Sequence, residues 1–397
     1  MNQKLNLKKQ LCCIYLSDFF SGLRITDAVW VALLAARGFS LWEIGLAKSV
    51  DYIVGLLIEV PSGMAADLFG RKKTLILGGI FVVAYNLLMA FAPNLSFICL
   101  AMALNALAKA MFSGTGSALT YDSLKQVGCQ GEYIQVSANE YQITNISNAL
   151  GSLTSLFHRI LDFSGFYLLS AAFEGISTLA SIFLEEPIVT EAQASREKHS
   201  LRALPGQFTQ LVRDSLHILL ICPLVAKLIT ASAVISGSSY LAKMFFQQRL
   251  VELGWPTSLL FLPLLLSGLA SMLGTELGRR IRPRSLRSFY RCCALLCGAG
   301  FFLIGAAPSF VGILGCMLAD GVLGAWLLHE NRRLNDAIPS DQRATLISVD
   351  SMAYSLLMIP ASPLVGVVGD FFGQAGAGLI LLGVVVALSG LFSLIQN

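Results

Sequence analysis

Long apolar runs separated by short polar breaks recur along the whole chain, and their lengths predict helices that cross a bilayer. A hydrocarbon core about 30 Å thick takes about 20 apolar residues in helical form. Runs that satisfy this lie near 11–36, 41–61, 74–92, 95–121, 136–157, 165–184, 216–246, 257–278, 287–306, 309–329, 344–367 and 376–395. They are numbered spans 1 to 12. Span 7 exceeds what one crossing needs, so it tilts or projects. One stretch breaks the pattern: 185–213 is polar, carries Pro187, Pro205 and Gly206, and holds no apolar run. It reads as a linker. The expected fold class is therefore an all-α integral membrane protein with twelve transmembrane helices: a six-helix bundle over 1–184, a linker over 185–213, and a second six-helix bundle over 214–397.

Composition agrees with the pattern. Hydrophobic residues make up 55% and charged residues 13%, against about 25% charged in soluble domains. Charge then orients the spans. Twenty of the 28 Lys and Arg residues fall in the N-terminal segment, alternate loops and the linker. Only Arg37, Arg159 and Arg249 fall on the opposite side, and Arg24, Lys48, Lys109, Lys227 and Lys243 lie within spans. Positive-inside bias makes the rich side cytoplasmic and places both termini there, in a cell membrane. The net charge of +4 reflects this topology and contact with lipid headgroups, not nucleic-acid binding. The basic N-terminus lacks a small-residue cleavage site and runs on into span 1, so it reads as the first helix, not as a signal peptide. The nine cysteines fit neither a zinc site nor a disulfide framework and read as apolar packers. Four dispersed histidines and the lack of a Walker A sequence leave no catalytic constellation, so no enzyme, cofactor or metal is expected.

A shift of about 208 residues lays Gly70-Arg71-Lys72 on Gly278-Arg279-Arg280 and Asp122 on Glu330. The halves therefore look like copies of one unit. Between spans 2 and 3 stands Gly63-Met64-Ala65-Ala66-Asp67-Leu68-Phe69-Gly70-Arg71-Lys72-Lys73. The pattern G-x-x-x-D-x-x-G-R-K-K resembles the signature loop of the major facilitator superfamily, and the phrases Glu59–Gly63, Ala118–Leu124 and Arg343–Thr345 look like a drug-exporter-rich bacterial branch. The second copy is degraded, with Ser271 for Gly63 and Thr275 for Asp67. Membership would imply parallel repeats with a substrate site between them. It would also imply a latch in which Asp67 docks on the start of span 11 near Ser340 while Arg71 ties to Asp122. Gly63 and Gly70 would permit the close approach, and the unpaired N–H groups of a helix start would attract the carboxylate. Two departures stand out. Span 5 lacks the Gly-Pro pair common in proton antiporters, and span 4 carries Lys109 where relatives often present arginine.

A charge at the bilayer centre costs at least about 2.5 kcal/mol and is tolerated where it faces a cavity or a partner. Arg24 and Asp27 on span 1 lie level with Lys48 and Asp51 on span 2, each pair at i,i+3 on one helix face. Lys109 reaches a similar depth, which suggests a midplane network. Two readings stay open: a titrating coupling site, for which Asp27 is the first choice and Asp51 the next, or fixed ion pairs that hold spans 1, 2 and 4 in register. Asp18 lies nearer the entrance. Lys227, Asp320 and Asp350 occupy comparable depth in the second half, and Phe20, Trp30, Tyr52, Phe112, Tyr240, Trp326 and Tyr354 offer apolar or cation–π surface. The sequence thus leads to a monomeric secondary transporter for a small molecule, exporting amphiphilic compounds by proton antiport. A transporter of a polar or anionic metabolite or peptide, or a non-transporting receptor or lipid-handling relative, is the alternative.

Overall fold

The computed structural model describes residues 5–27, 29–187, 213, 223–283, 285–337 and 343–392. Helix dominates throughout, and no strand occurs among these residues. In chain order the helices are α1 Leu7–Gly22, α2 Trp30–Ala36, α3 Leu41–Phe69, α4 Arg71–Phe91, α5 Leu95–Phe112, α6 Thr115–Gln126, α7 Tyr133–Ser152 and α8 Phe163–Ile182. There follow α9 Pro223–Glu252, α10 Phe261–Arg280, α11 Leu286–Ala306, α12 Ser309–Ala337, α13 Arg343–Phe371 and α14 Ala375–Leu391. Eight helical segments among the described residues are long and apolar enough to cross a membrane, with α5 and α6 forming one of them.

Several helices start where a short polar side chain takes up an otherwise unpaired backbone N–H. Asn94 Oδ1 accepts from the Phe97 N–H at 3.3 Å before α5, and Asp162 Oδ1 from the Gly165 N–H at 2.7 Å before α8. The start of α3 is satisfied more completely. Ser40 and Glu43 form a reciprocal capping box: the Ser40 N–H donates to Glu43 Oε2 at 2.8 Å, and the Glu43 N–H to Ser40 Oγ at 3.2 Å. Asp370 takes the two donors between them, from Leu41 at 2.9 Å and Trp42 at 2.8 Å.

Several boundaries differ from the sequence expectation, among them the end of α12, at Ala337 where span 10 is expected to end near 329. Span 1 is not continuous, because the chain leaves the helix after Gly22 and resumes at Trp30. Tight bonds from the Arg24 N–H to the Gly22 carbonyl at 2.8 Å and from the Ile25 N–H to the Leu23 carbonyl at 2.9 Å turn it there. Span 4 is broken at Gly114, whose left-handed φ of 70° ends one helix and opens the next. The signature loop is mostly helix: α3 runs through Pro61 to Phe69, and Gly70 at φ 91° is the single residue that turns the chain into α4.

The chain divides into two compact units, one of residues 1–27 and 53–208, the other of 28–52 and 209–397. Within the first, α4 packs on α5 and α8, and α1 packs on α7 and α8. Within the second, α11 packs on α12 and α14, and α9 packs on α13 and α14. These are the partners that the 208-residue repeat maps onto one another, so the repeat is visible in packing as well as in sequence. Between apolar helices in lipid, close backbone approach and dispersion replace the hydrophobic drive. A Cβ added at Gly305 of α11 would stand 2.5 Å from the Gly376 carbonyl oxygen, and one at Gly298 would stand 2.7 Å from that of Gly383. Both contacts let α11 lie directly against α14.

Candidate functional site

In the first unit, the irregular stretch between α1 and α2 carries Arg24 and Asp27, both exposed, with Arg24 Nη1 3.8 Å from Asp27 Oδ2. The break is seated on α7: Gly22 faces Ser147, and a Cβ at Gly151 would lie 2.8 Å from the Arg24 backbone nitrogen. Glu174 of α8 is 7% exposed and lies within electrostatic reach of Arg24. Among the described residues its Oε1 finds no hydrogen-bond partner. Arg24 therefore lies within electrostatic reach of two carboxylates. The signal in the sequence that could have found Glu174 is an acid in a span that otherwise has none. Lys109 is exposed in the last turn of α5, at the break that Gly114 creates. Asp18 of α1 and Glu140 of α7 interact electrostatically, and Glu140 accepts from Thr120 Oγ1 at 2.6 Å.

In the second unit, Lys48 Nζ donates to Asp51 Oδ2 at 2.7 Å, with side-chain exposures of only 7% and 4%. The ammonium also stands 5.0 Å from the Tyr52 ring centroid and 5.1 Å from that of Tyr240. Tyr354 lies edge-on to Tyr52 at 5.9 Å. A carboxylate and ring faces together supply the charge stabilisation that burial removes. Nearby, Ser49 Oγ donates to the Ile359 carbonyl at 2.6 Å, which holds α3 against α13. Of the five charges expected in one network, Arg24 and Asp27 form an exposed ion pair within the first unit, Lys48 and Asp51 a buried, ring-flanked ion pair within the second, and Lys109 lies in the last turn of α5.

Asp320 is buried and pairs with Lys243 at 3.2 Å. Lys243 was read only as a charge within a span. Asp350 is half-buried on α13 and interacts electrostatically with buried Glu330 of α12; Lys227 is half-buried on α9. Of the aromatics, Tyr52, Tyr240 and Tyr354 gather at Lys48, whereas Trp326 is fully buried against Phe289 and Tyr290 and serves packing.

The predicted latch residues are placed in part. Arg71 Nη1 donates to Asp122 Oδ2 and to the Ala118 carbonyl, which fastens the start of α4 to α6. Gly63 and Asp67 lie in the last turns of α3, where side chains are outside the described residues, as is Ser340. The start of α4 has a partner that the sequence did not reveal. Glu186 accepts from the Arg71 N–H at 2.7 Å and the Lys72 N–H at 2.8 Å, and a Cβ at Gly70 would come within 2.9 Å of its carboxyl carbon. Its neighbour Glu185 reaches Lys9 at 3.6 Å, and the Gln10 amide donates to the Glu185 carbonyl at 3.0 Å and to Ser123 Oγ at 3.1 Å. A segment read as linker is thus bound at its first residues to α1 and α4. In the second copy, Arg279, which corresponds to Arg71, pairs instead with Glu276 at 2.8 Å.

Residues 11–356 match the family model of the Major Facilitator Superfamily. An uncharacterized MFS-type transporter, YxaM of Bacillus subtilis (strain 168), is 23% identical over 372 residues, which cover 91% of this chain and 90% of that protein. Among solved structures, the nucleoside transporter NupG superposes with a TM-score of 0.70 at 17% identity, covering 99% of this chain and 100% of that one. A POT family transporter in complex with 5-aminolevulinic acid gives a TM-score of 0.61 at 14% identity, covering 97% and 94%.

Proposed function

We propose that this chain, which belongs to the Major Facilitator Superfamily and so to a family of transporters, not enzymes, moves a small molecule across the cytoplasmic membrane by alternating access. Export of amphiphilic compounds in exchange for protons is the reading we favour, carried out by a monomer with twelve spans in two six-helix bundles and both termini cytoplasmic. The observation that carries it is the Arg24–Asp27 pair, exposed on non-helical backbone inside a span. Irregular backbone at membrane depth persists only where it is buried in protein or lines a water-filled cavity, and intramembrane charges mark substrate and ion pathways. With Glu174 also within electrostatic reach, Arg24 can satisfy one carboxylate while Asp27 takes up or releases a proton. Lys48, Asp51, Lys109, Lys227, Asp320 and Asp350 would line or support the path. Gly63, Asp67, Gly70, Arg71, Asp122 and Ser340 would form the latch.

Asp27→Asn should abolish gradient-driven uptake into inverted vesicles and leave substrate exchange at equal pH intact; unchanged gradient-driven uptake would assign Asp27 a structural role. A second reading, transport of a polar or anionic metabolite or peptide, is favoured by the exposed cations Arg24 and Lys109. The named activities of NupG and the POT family transporter lie in that class. Thermal stabilisation across a panel of amphiphilic cations, nucleosides and short peptides separates the two.

A further inference from the structure

Two buried acids, Asp122 and Glu330, occupy corresponding places in the two copies, and they are neutralised differently. Asp122 of α6 is tied to Arg71. Arg279, which the repeat lays on Arg71, is exposed and pairs with Glu276 at 2.8 Å. Glu330 of α12 keeps the burial of its counterpart, at 2% exposure, without that cation.

Ser232 of α9 hydrogen-bonds the Glu330 carboxyl group, Asp350 of α13 lies within electrostatic reach of it, and its Oε1 is buried with no hydrogen-bond partner among the described residues. The elements packed on α12 bring no cation to it among the described residues. On α10, Glu276 engages both Arg279 and Arg280 on exposed side chains. On α11, the Tyr290 hydroxyl meets Ser389 Oγ at 2.9 Å. Lys243 of α9 holds Asp320, and neither Lys227 of α9 nor Arg287 of α11, both half-buried, is among the groups that act on this carboxyl. On α12 itself His329 meets the Gly278 carbonyl, and Arg332 and Arg333 are exposed. A carboxylate that has lost water and gained no cation costs more than one hydrogen bond returns, and Asp350 adds a like charge. A neutral carboxylic acid removes that cost.

We propose that Glu330 is a proton-binding site of the second unit, with an exchangeable proton on its carboxyl group where the first copy uses an arginine. The substitution is of one positive charge for another, but a guanidinium is permanently charged and a proton can leave. Ser232 suits the task, since a hydroxyl accepts from an acid and donates to a carboxylate. It can therefore keep α9 bonded to α12 in both protonation states. The site involves neither Arg24 nor Asp27, so it stands or falls independently of the coupling role assigned to Asp27.

Infrared difference spectroscopy on the full chain in phosphatidylcholine bilayers reads the site directly, because a protonated carboxyl group has a C=O band that an ionised one lacks. Wild type should show a component of this band that shifts in heavy water and disappears as the pH is raised. Glu330→Gln should lose that component, and Asp27→Asn should keep it. Ser232→Ala should shift its frequency, because the hydrogen bond is gone. Identical spectra of wild type and Glu330→Gln, or a component that neither exchanges nor titrates, overturns the proposal. So does loss of the component when sodium replaces choline at constant pH and ionic strength, which would make the site one for a metal cation. Should Glu330→Gln fail to fold, Ser232→Ala decides: a component that it leaves unmoved does not belong to Glu330, and the proposal fails.

Discussion

Lys48 and Asp51 set the energetic stakes at the scale of single residues. Both side chains are almost completely buried and 2.7 Å apart, so removing one partner leaves an uncompensated charge. Asp51→Asn should destabilise by about 3–5 kcal/mol, whereas Lys48→Met/Asp51→Leu should come within about 1 kcal/mol of wild type or exceed it. Denaturant or thermal unfolding in detergent measures both, and a mild Asp51→Asn would mean that the tyrosine rings alone sustain the ammonium. Arg71 presents the opposite case, a partly buried guanidinium with two acceptors, Asp122 and the Ala118 carbonyl. Asp122→Asn should cost about 1.5–3 kcal/mol. Arg71→Lys should recover little of the geometry, because a lysine cannot spread donors over both acceptors.

At the scale of elements, much was legible because apolar length and breaker residues act locally. The apolar runs located most helices, though not the breaks in spans 1 and 4 or the far ends of α3 and α12, and the Arg71–Asp122 tie followed from the signature resemblance. What escaped was decided by tertiary context. Nothing in Leu23–Val29 marks the end of a helix, since the sequence there contains neither Gly nor Pro; the turn is held by the approach of α7 at Gly151. The loop expected between spans 2 and 3 is helical in spite of Pro61 inside α3, and Gly70 alone makes the turn. Glu186 was hidden in a polar segment whose composition says linker and whose first residues cap α4. The glycine contacts of α11 belong to this scale too. Gly305→Val should force α11 and α14 apart and cost about 1–3 kcal/mol as overpacking, while Gly268→Val, at a position with no atom near its Cβ, should cost less. A melting series of the two variants checks the difference.

At the scale of the whole molecule, residues 28–52 precede most of the first unit in sequence yet belong to the second. Lys48, Tyr240 and Tyr354 therefore come together only when both covalent halves are present. A fragment ending in the 188–212 stretch should be unstable alone, and a tagged copy should co-purify with the separately expressed remainder; independent, stable fragments would contradict this. The clasp on Leu41 and Trp42 within this segment has an implication of another kind. Asp370 grips the Leu41 and Trp42 N–H groups, not their side chains, and Glu186 grips Arg71 and Lys72 in the same way. A carboxylate bound to backbone has no mate that must change when it changes. Pairwise covariation across relatives will therefore be blind to both contacts, however much each contributes. Their only trace in an alignment would be an acid that persists at 370 or 186 while its neighbours in space vary freely.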